Sequence, residues 1–262
     1  MPAGRAATVV AAFFLSACAC GLPARGLDQA TQQLPGFAHR RLAGADFPLH
    51  AWLRLAGPGE TLTVVIEGDG AGWFNPRWPP ADPTPERSQA LALAAHLPGA
   101  VAYLARPCQF EQGKACRAEH WTSRRFAAEL VGALDGALDA LKRESGATKL
   151  RLVGHSGGGV MAVLLAQRRD DVGAVLTLMA PLDLAAWTEA LALSPLAGPD
   201  PGRLPPLRVP AIHVAGGKDD IVPAALVARH VERKGGKFVL WTEADHACWS
   251  LAAASRLAEE LP

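Results

Sequence analysis

Apolar positions along this chain switch between runs of four to eight residues and stretches of ten or more with apolar residues three or four apart. The first kind predicts strands and the second helices. Phe37 to Leu42 and Phe47 to Leu55 read as an antiparallel pair joined through Ala43-Gly44-Ala45-Asp46. Thr61 to Ile66 is continuously apolar, as in a strand buried on both faces of a mostly parallel sheet. A helix over Glu86 to His96 and a strand over Val101 to Leu104 follow. Trp121-Thr122-Ser123 is then expected to cap a long helix to about Glu144, with Phe126, Leu130, Leu134 and Leu138 at spacing four on one face. Leu150 to Val153 is a strand that runs into an Ala/Leu-rich helix with only a glycine-rich turn between them. Ala174 to Met179, Ala211 to Ala215 and Phe238 to Trp241 are further strands. Helices are expected from Asp183, over Ala224 to Arg233 and over Leu251 to Leu261. Serial alternation of this kind predicts one α/β domain over residues 37 to 262. Its sheet is mostly parallel, flanked by helices and joined by right-handed crossovers. The Pro- and Gly-rich stretch from Ser194 to Pro210 is too short for a large separate lid.

The first residues follow a different pattern. Arg5 closes a short positive region and Ala6 to Leu15 is apolar but too short to span a bilayer, so residues 1 to 17 read as an export signal. Leu15-Ser16-Ala17-Cys18 resembles a bacterial lipobox, which implies lipidation of Cys18 and a protein held at the periplasmic side of a membrane. Ordinary cleavage after Ala17-Cys18-Ala19 is the competing reading. Residues 18 to 36, mixing Gly, Pro, Gln and Thr, look like a tether. In an oxidising compartment Cys108 and Cys116, enclosing seven residues (109 to 115), form a plausible disulfide, the alternative being two free thiols. Cys20 reads as a spare thiol near the anchor and Cys248 as a small buried hydrophobe. With 26 basic and 25 acidic residues interspersed, there is no electrostatic footprint for nucleic acid.

The candidate chemistry begins at Gly154-His155-Ser156-Gly157-Gly158, between a predicted strand and a predicted helix. A Gly-x-Ser-x-Gly match is expected by chance about 0.08 times in a chain of this composition, so its context carries the weight. A serine at such a turn is held in strained backbone with its hydroxyl above the end of the sheet, and Ser156 is the candidate nucleophile. Gly217-Lys218-Asp219-Asp220 and then Asp245-His246 complete the chain order serine, acid, histidine. After the strand Thr61 to Ile66 comes Glu67-Gly68-Asp69-Gly70. The backbone N–H groups of Asp69 and Gly157 are the candidate oxyanion donors. A dinucleotide fingerprint fails there because Trp73 stands where its last glycine would be. Trp73, Phe74, Trp78 and Trp249 are candidates for an apolar substrate pocket, although core packing explains them equally well. Arg124 and Arg125 either brace a neighbouring loop or meet an acidic group.

Together these residues resemble the α/β-hydrolase fold family across essentially the whole mature chain. Glu67-Gly68-Asp69-Gly70, Asp82-Pro83-Thr84-Pro85, Arg106-Pro107-Cys108-Gln109, Trp121 to Phe126 and Asp245-His246-Ala247-Cys248-Trp249 are more narrowly similar to bacterial exported α/β-hydrolases of unassigned substrate. The resemblance implies a serine hydrolase acting on a small ester, with Ser156 as nucleophile, His246 as base and Asp219 as the acid. Asp220 and Asp183 are rivals for the last role. It implies neither metal nor organic cofactor. A lipid-anchored binding protein without turnover and a serine peptidase are the alternatives.

Overall fold

The computed structural model describes residues 20–42, 46–57, 59–71 and 78–262. Residues 1–17, where an export signal is expected, Cys18, the hairpin turn expected at 43–45, Trp73 and Phe74 lie outside the described residues. In chain order the elements are β1 (Leu22–Pro23), α1 (Leu27–Gln32), β2 (Ala38–Leu42), β3 (Leu49–Arg54), β4 (Thr61–Ile66), β5 (Arg87–Ser88), α2 (Gln89–His96) and β6 (Val101–Leu104). There follow α3 (Ala128–Ser145), β7 (Lys149–His155), α4 (Gly157–Ala166), β8 (Val172–Leu178), α5 (Leu184–Ala190), β9 (Ala211–Gly216), α6 (Ala224–Lys234), β10 (Lys237–Trp241) and α7 (Leu251–Glu259).

Eight strands form one sheet in the order β10-β9-β8-β7-β4-β6-β3-β2, with β3 running against all the others and paired antiparallel to both β6 and β2. Strand side chains alternate between the two faces. On β4, Leu62, Val64 and Ile66 join the apolar layer beneath α3 and α4, while Val65 points into the layer beneath α1, α2 and α7. Such two-sided burial is why the parallel strands read as unbroken apolar runs rather than as alternation. The connection from β4 leads to β6 on one side, and the chain then crosses back to β7 on the other. A crevice therefore opens at the carboxyl ends of β4 and β7, where ligands bind in sheets of this kind.

Three expectations are corrected. Residues 20–36 are not a loose tether, because β1 pairs with β5, α1 packs on the sheet, and Ala24, Ala30 and Leu34 are buried. The indole N–H of the buried Trp52 donates to Thr31 Oγ1 at 2.8 Å, so the segment completes the core rather than leading to it. Helix α2 starts at Gln89 instead of Glu86, because Arg87 and Ser88 are taken up by β5 and the Ser88 hydroxyl caps the helix at Leu91 N–H. The long helix starts at Ala128, not at Arg124 behind a Trp121-Thr122-Ser123 cap, although Phe126 is buried at helical spacing from Leu130. Residues 122–127 leave the helical path to present the Arg125 carbonyl to Arg106 Nη2 at 2.5 Å.

Candidate active site

Ser156 stands between β7 and α4 with φ 53° and ψ −125°, a conformation that costs a non-glycine residue about 1–3 kcal/mol. The neighbouring glycines make the turn possible. A β-carbon on Gly154 would lie 2.2 Å from the Gly158 carbonyl oxygen, and one on Gly158 would lie 2.3 Å from that of Ile66. Strand, strained serine and helix are thus packed too closely for any side chain at these two positions.

The loops after β9 and β10 bring the other two groups to Ser156. Gly217 N–H donates to the Trp241 carbonyl at 2.8 Å and Lys218 N–H to that of Ala244 at 2.9 Å, which joins the loops side by side. Asp219 is buried. Its Oδ1 accepts from the N–H groups of Ile221 and Val222 at 2.9 and 2.8 Å, and its Oδ2 lies 2.9 Å from His246 Nδ1. A carboxylate only accepts, so His246 carries its proton on Nδ1 and leaves Nε2 free to accept. Nε2 is 2.9 Å from Ser156 Oγ. The two rivals for the acid point elsewhere. Asp220 is exposed to solvent. Asp183 caps α5 at Ala186 N–H and pairs with Arg233 at 2.8 Å.

Asp69 lies on the turn leaving β4, against the elbow. A β-carbon on Gly68 would come within 3.5 Å of Ser156 Cβ. Gly157 is the first residue of α4, so its N–H has no intrahelical acceptor and points out at the helix start. Below the turn, the buried Glu67 carboxylate accepts from the Ser88 hydroxyl, from Tyr103 Oη at 2.5 Å and from Gly68 N–H at 2.7 Å. Burial pushes the Glu67 carboxyl up and these donors hold it down, with burial the larger effect.

A cavity of about 530 Å³ covers Ser156. Gly68, Asp69, Pro85, Arg87, His246 and Cys20 are among the residues lining it. Neither Trp78 nor Trp249 is among them, which corrects their assignment to the substrate pocket. Trp78 is exposed at 69%. Trp249 is buried behind the site, with its ring 5.7 Å from that of His155.

The cysteines hold a second correction. Cys108 and Cys116 are bonded, closing the loop that begins at Arg106. Cys20 is not a spare thiol and Cys248 is not a plain hydrophobe, because these two form a disulfide across 228 residues. Sequence alone carries no signal for such a distant pair. His155 was also not singled out, though it sits inside the serine motif.

The sheet order, the elbow and the crevice define an α/β-hydrolase fold. No known protein-family profile and no curated protein matches the sequence. Among solved structures, an esterase of Pyrococcus furiosus superposes with a TM-score of 0.64 at 12% identity, over 92% of this chain and 94% of its own. The esterase Est1E from Butyrivibrio proteoclasticus gives 0.58 at 17% identity, over 86% and 96%. A puromycin-hydrolyzing peptidase of Mycobacterium tuberculosis gives 0.60 at 18% identity, over 85% of this chain but only 38% of the peptidase.

Proposed function

We propose that this protein is a serine hydrolase that cleaves small carboxylic esters through an acyl-enzyme. The observation that carries the reading is the unbroken hydrogen-bond line from buried Asp219 through His246 to Ser156, with both spacings 2.9 Å, ending on a serine in strained elbow geometry. His246 Nε2 takes the Ser156 proton as Oγ attacks the ester carbonyl, and Asp219 stabilises the imidazolium that forms. The N–H groups of Asp69 and Gly157 receive the oxyanion. His246 then gives its proton to the leaving alcohol, and water, activated by the same imidazole, releases the acid.

We infer separately that the protein is exported and anchored through lipid on Cys18, a reading supported by Leu15-Ser16-Ala17-Cys18. Cys18→Ser is expected to release it from the membrane fraction, and an unmodified Cys18 in the mature protein by mass spectrometry refutes the anchor.

The decisive experiment pairs fluorophosphonate labelling with turnover of p-nitrophenyl esters of graded chain length. Wild type is expected to be labelled at Ser156. Ser156→Ala is expected to lose label and at least about a thousandfold in turnover while keeping its melting temperature. A Ser156→Ala protein retaining a tenth of the rate refutes the serine mechanism. A wild type that takes no label favours a binding protein on the same fold.

A further inference from the structure

An aspartate is an awkward residue to place beside an oxyanion. On the hydrolase reading, negative charge develops next to the N–H groups of Asp69 and Gly157, yet Asp69 brings a carboxylate of its own. That carboxylate is close to the site. A β-carbon on Gly157 would fall 2.0 Å from Asp69 Oδ1, so the acid group packs directly on the Cα of the residue that supplies the other donor. Unpaired there, it would repel the developing charge through a short, poorly screened path.

It is not unpaired. Arg106 Nη1 reaches Asp69 Oδ1 at 3.0 Å and Arg125 Nη1 reaches Oδ2 at 3.2 Å, one guanidinium on each oxygen. Both arginines are buried, with side chains 5% and 9% exposed, so water screens these pairs little. Their own positions are tightly set. Arg106 Nη2 donates to the Arg125 carbonyl, and the Phe126 ring lies 5.4 Å from the Arg106 guanidinium and 5.7 Å from that of Arg125. The Trp187 ring lies 5.6 Å from Arg125. Arg106 also ties its loop to the turn at a second point, because Gln109 Oε1 accepts from Arg106 N–H while Gln109 Nε2 donates to the Gly68 carbonyl at 3.1 Å. The Nε of each arginine is buried without a partner. Two buried cations with unsatisfied donors are a costly way to hold one surface loop, and a hydrophobic contact would have done that more cheaply. Glu67, the other acid nearby, makes no ion pair among the described residues and faces its own hydroxyl and amide donors.

We propose that Arg106 and Arg125 are positioning residues of the oxyanion turn. By clamping the Asp69 carboxylate from both sides they outweigh its charge beside Gly157, two cations on one anion, and lock the Asp69 N–H toward the reacting carbonyl oxygen. They touch no substrate atom and act through Asp69. The inference rests on the serine hydrolase reading above.

Because the oxyanion exists only in the transition state and the tetrahedral intermediate, the clamp works on kcat rather than on substrate binding. Arg125→Gln is expected to lower kcat about 10- to 100-fold with KM within about threefold. Binding of an alkylboronic acid, whose serine adduct is a tetrahedral anion, should weaken in parallel. The distinguishing measurement is the double variant. Asp69→Asn in the Arg125→Gln background removes the negative charge that Arg106 alone is left to hold and so restores the excess of one cation that the pair of arginines gives wild type; it should recover at least about tenfold of the lost kcat and restore boronate affinity with it. The same recovery is expected for Asp69→Asn in Arg106→Gln, which covers the case in which one single variant folds poorly. Rates are normalised to the fraction of enzyme titrated by fluorophosphonate, so that misfolded protein does not count. Unchanged kcat and boronate affinity in Arg125→Gln overturns the proposal, as does a double variant no better than the single one. If wild type itself takes no fluorophosphonate, the hydrolase reading fails and this inference falls with it. If wild type is labelled and the cycle shows no coupling, only the clamp is wrong.

Discussion

His155 Nε2 donates to the backbone carbonyl oxygen of His246 at 2.8 Å, so the residue just before the elbow serine holds the loop that carries the imidazole facing it. A carbonyl only accepts, which puts the His155 proton on Nε2. Burial, with the adjacent His246 adding to it, pulls the pKa of His155 down to about 4, and the ring stays neutral at neutral pH. His155→Phe keeps the ring volume and removes the donor. It is expected to lower kcat about tenfold, with a stability loss of about 1 kcal/mol, read from kinetics and thermal melts. Unaltered kcat in a folded variant would mean that packing alone holds the loop.

Substituting each candidate acid by Asn separates orientation of His246 from local structure. Asp219→Asn is expected to lose up to about 10⁴ in turnover, because the amide favours the wrong tautomer of His246. Asp220→Asn should stay within about threefold of wild type. Asp183→Asn should leave turnover alone and cost under about 1 kcal/mol, because asparagine caps α5 about as well as aspartate and only the partly exposed pair with Arg233 is lost. An Asp219→Asn enzyme as active as wild type would break the proposed relay.

Acid should weaken the fold in a defined window. Burial lowers His213 to about 3, with His230 contributing, and burial lowers His230 and His155 each to about 4, all from an ordinary 6.5. Below pH 6.5 the unfolded chain therefore binds more protons than the folded one, so stability is full above that value and falls as pH drops toward 4. His155 and His213 can each contribute up to about 1.4 kcal/mol per pH unit across this range. Asp171, held at about 2 chiefly by Arg169, adds its loss only below pH 4. Melting temperatures at pH 7, 6 and 5 should descend, and His213→Asn should flatten the descent. A constant melting temperature from pH 7 to 5 would contradict this.

The two disulfides close loops of very different length. Cys20–Cys248 spans 228 residues and Cys108–Cys116 spans 8, for which chain entropy predicts stabilisation of about 5 and about 2 to 3 kcal/mol. Paired serine substitutions, Cys20 with Cys248 and Cys108 with Cys116, should lower the melting temperature in that order. The reverse order would show that the long bridge joins segments already held together in the unfolded chain.

The strand-turn-helix around Ser156 was legible because its sterics admit few residues, and the parallel sheet because two-sided burial leaves unbroken apolar runs. The convergence of Ser156, Asp219 and His246 followed from their order along such a sheet. The start of α3 misled because Phe126 is buried at helical spacing for another reason, its ring packing against Arg106 and Arg125. Residues 20–36 misled because their few apolar side chains are spread among turn residues and find their partners in a cluster that includes Trp52, α2 and α7, far along the chain. Trp249 stood near His246 in sequence, but side-chain direction turned it to the back of His155. Arg106 and Cys20 were silent, since each acquires its meaning from a residue dozens to hundreds of positions away.

The bridge at Cys20 also sets a distance. Arg87 donates to the carbonyls of Cys20 and Gly21, and Cys20 itself lines the cavity over Ser156. Two residues of extended chain span about 7 Å. On a chain acylated at Cys18, the mouth of the cavity would therefore be leashed within roughly the depth of a lipid headgroup layer, with no room to swing away. Esters moving within the leaflet would then reach Ser156 by a two-dimensional search, and those dissolved in the bulk would have to enter through the gap beneath the protein.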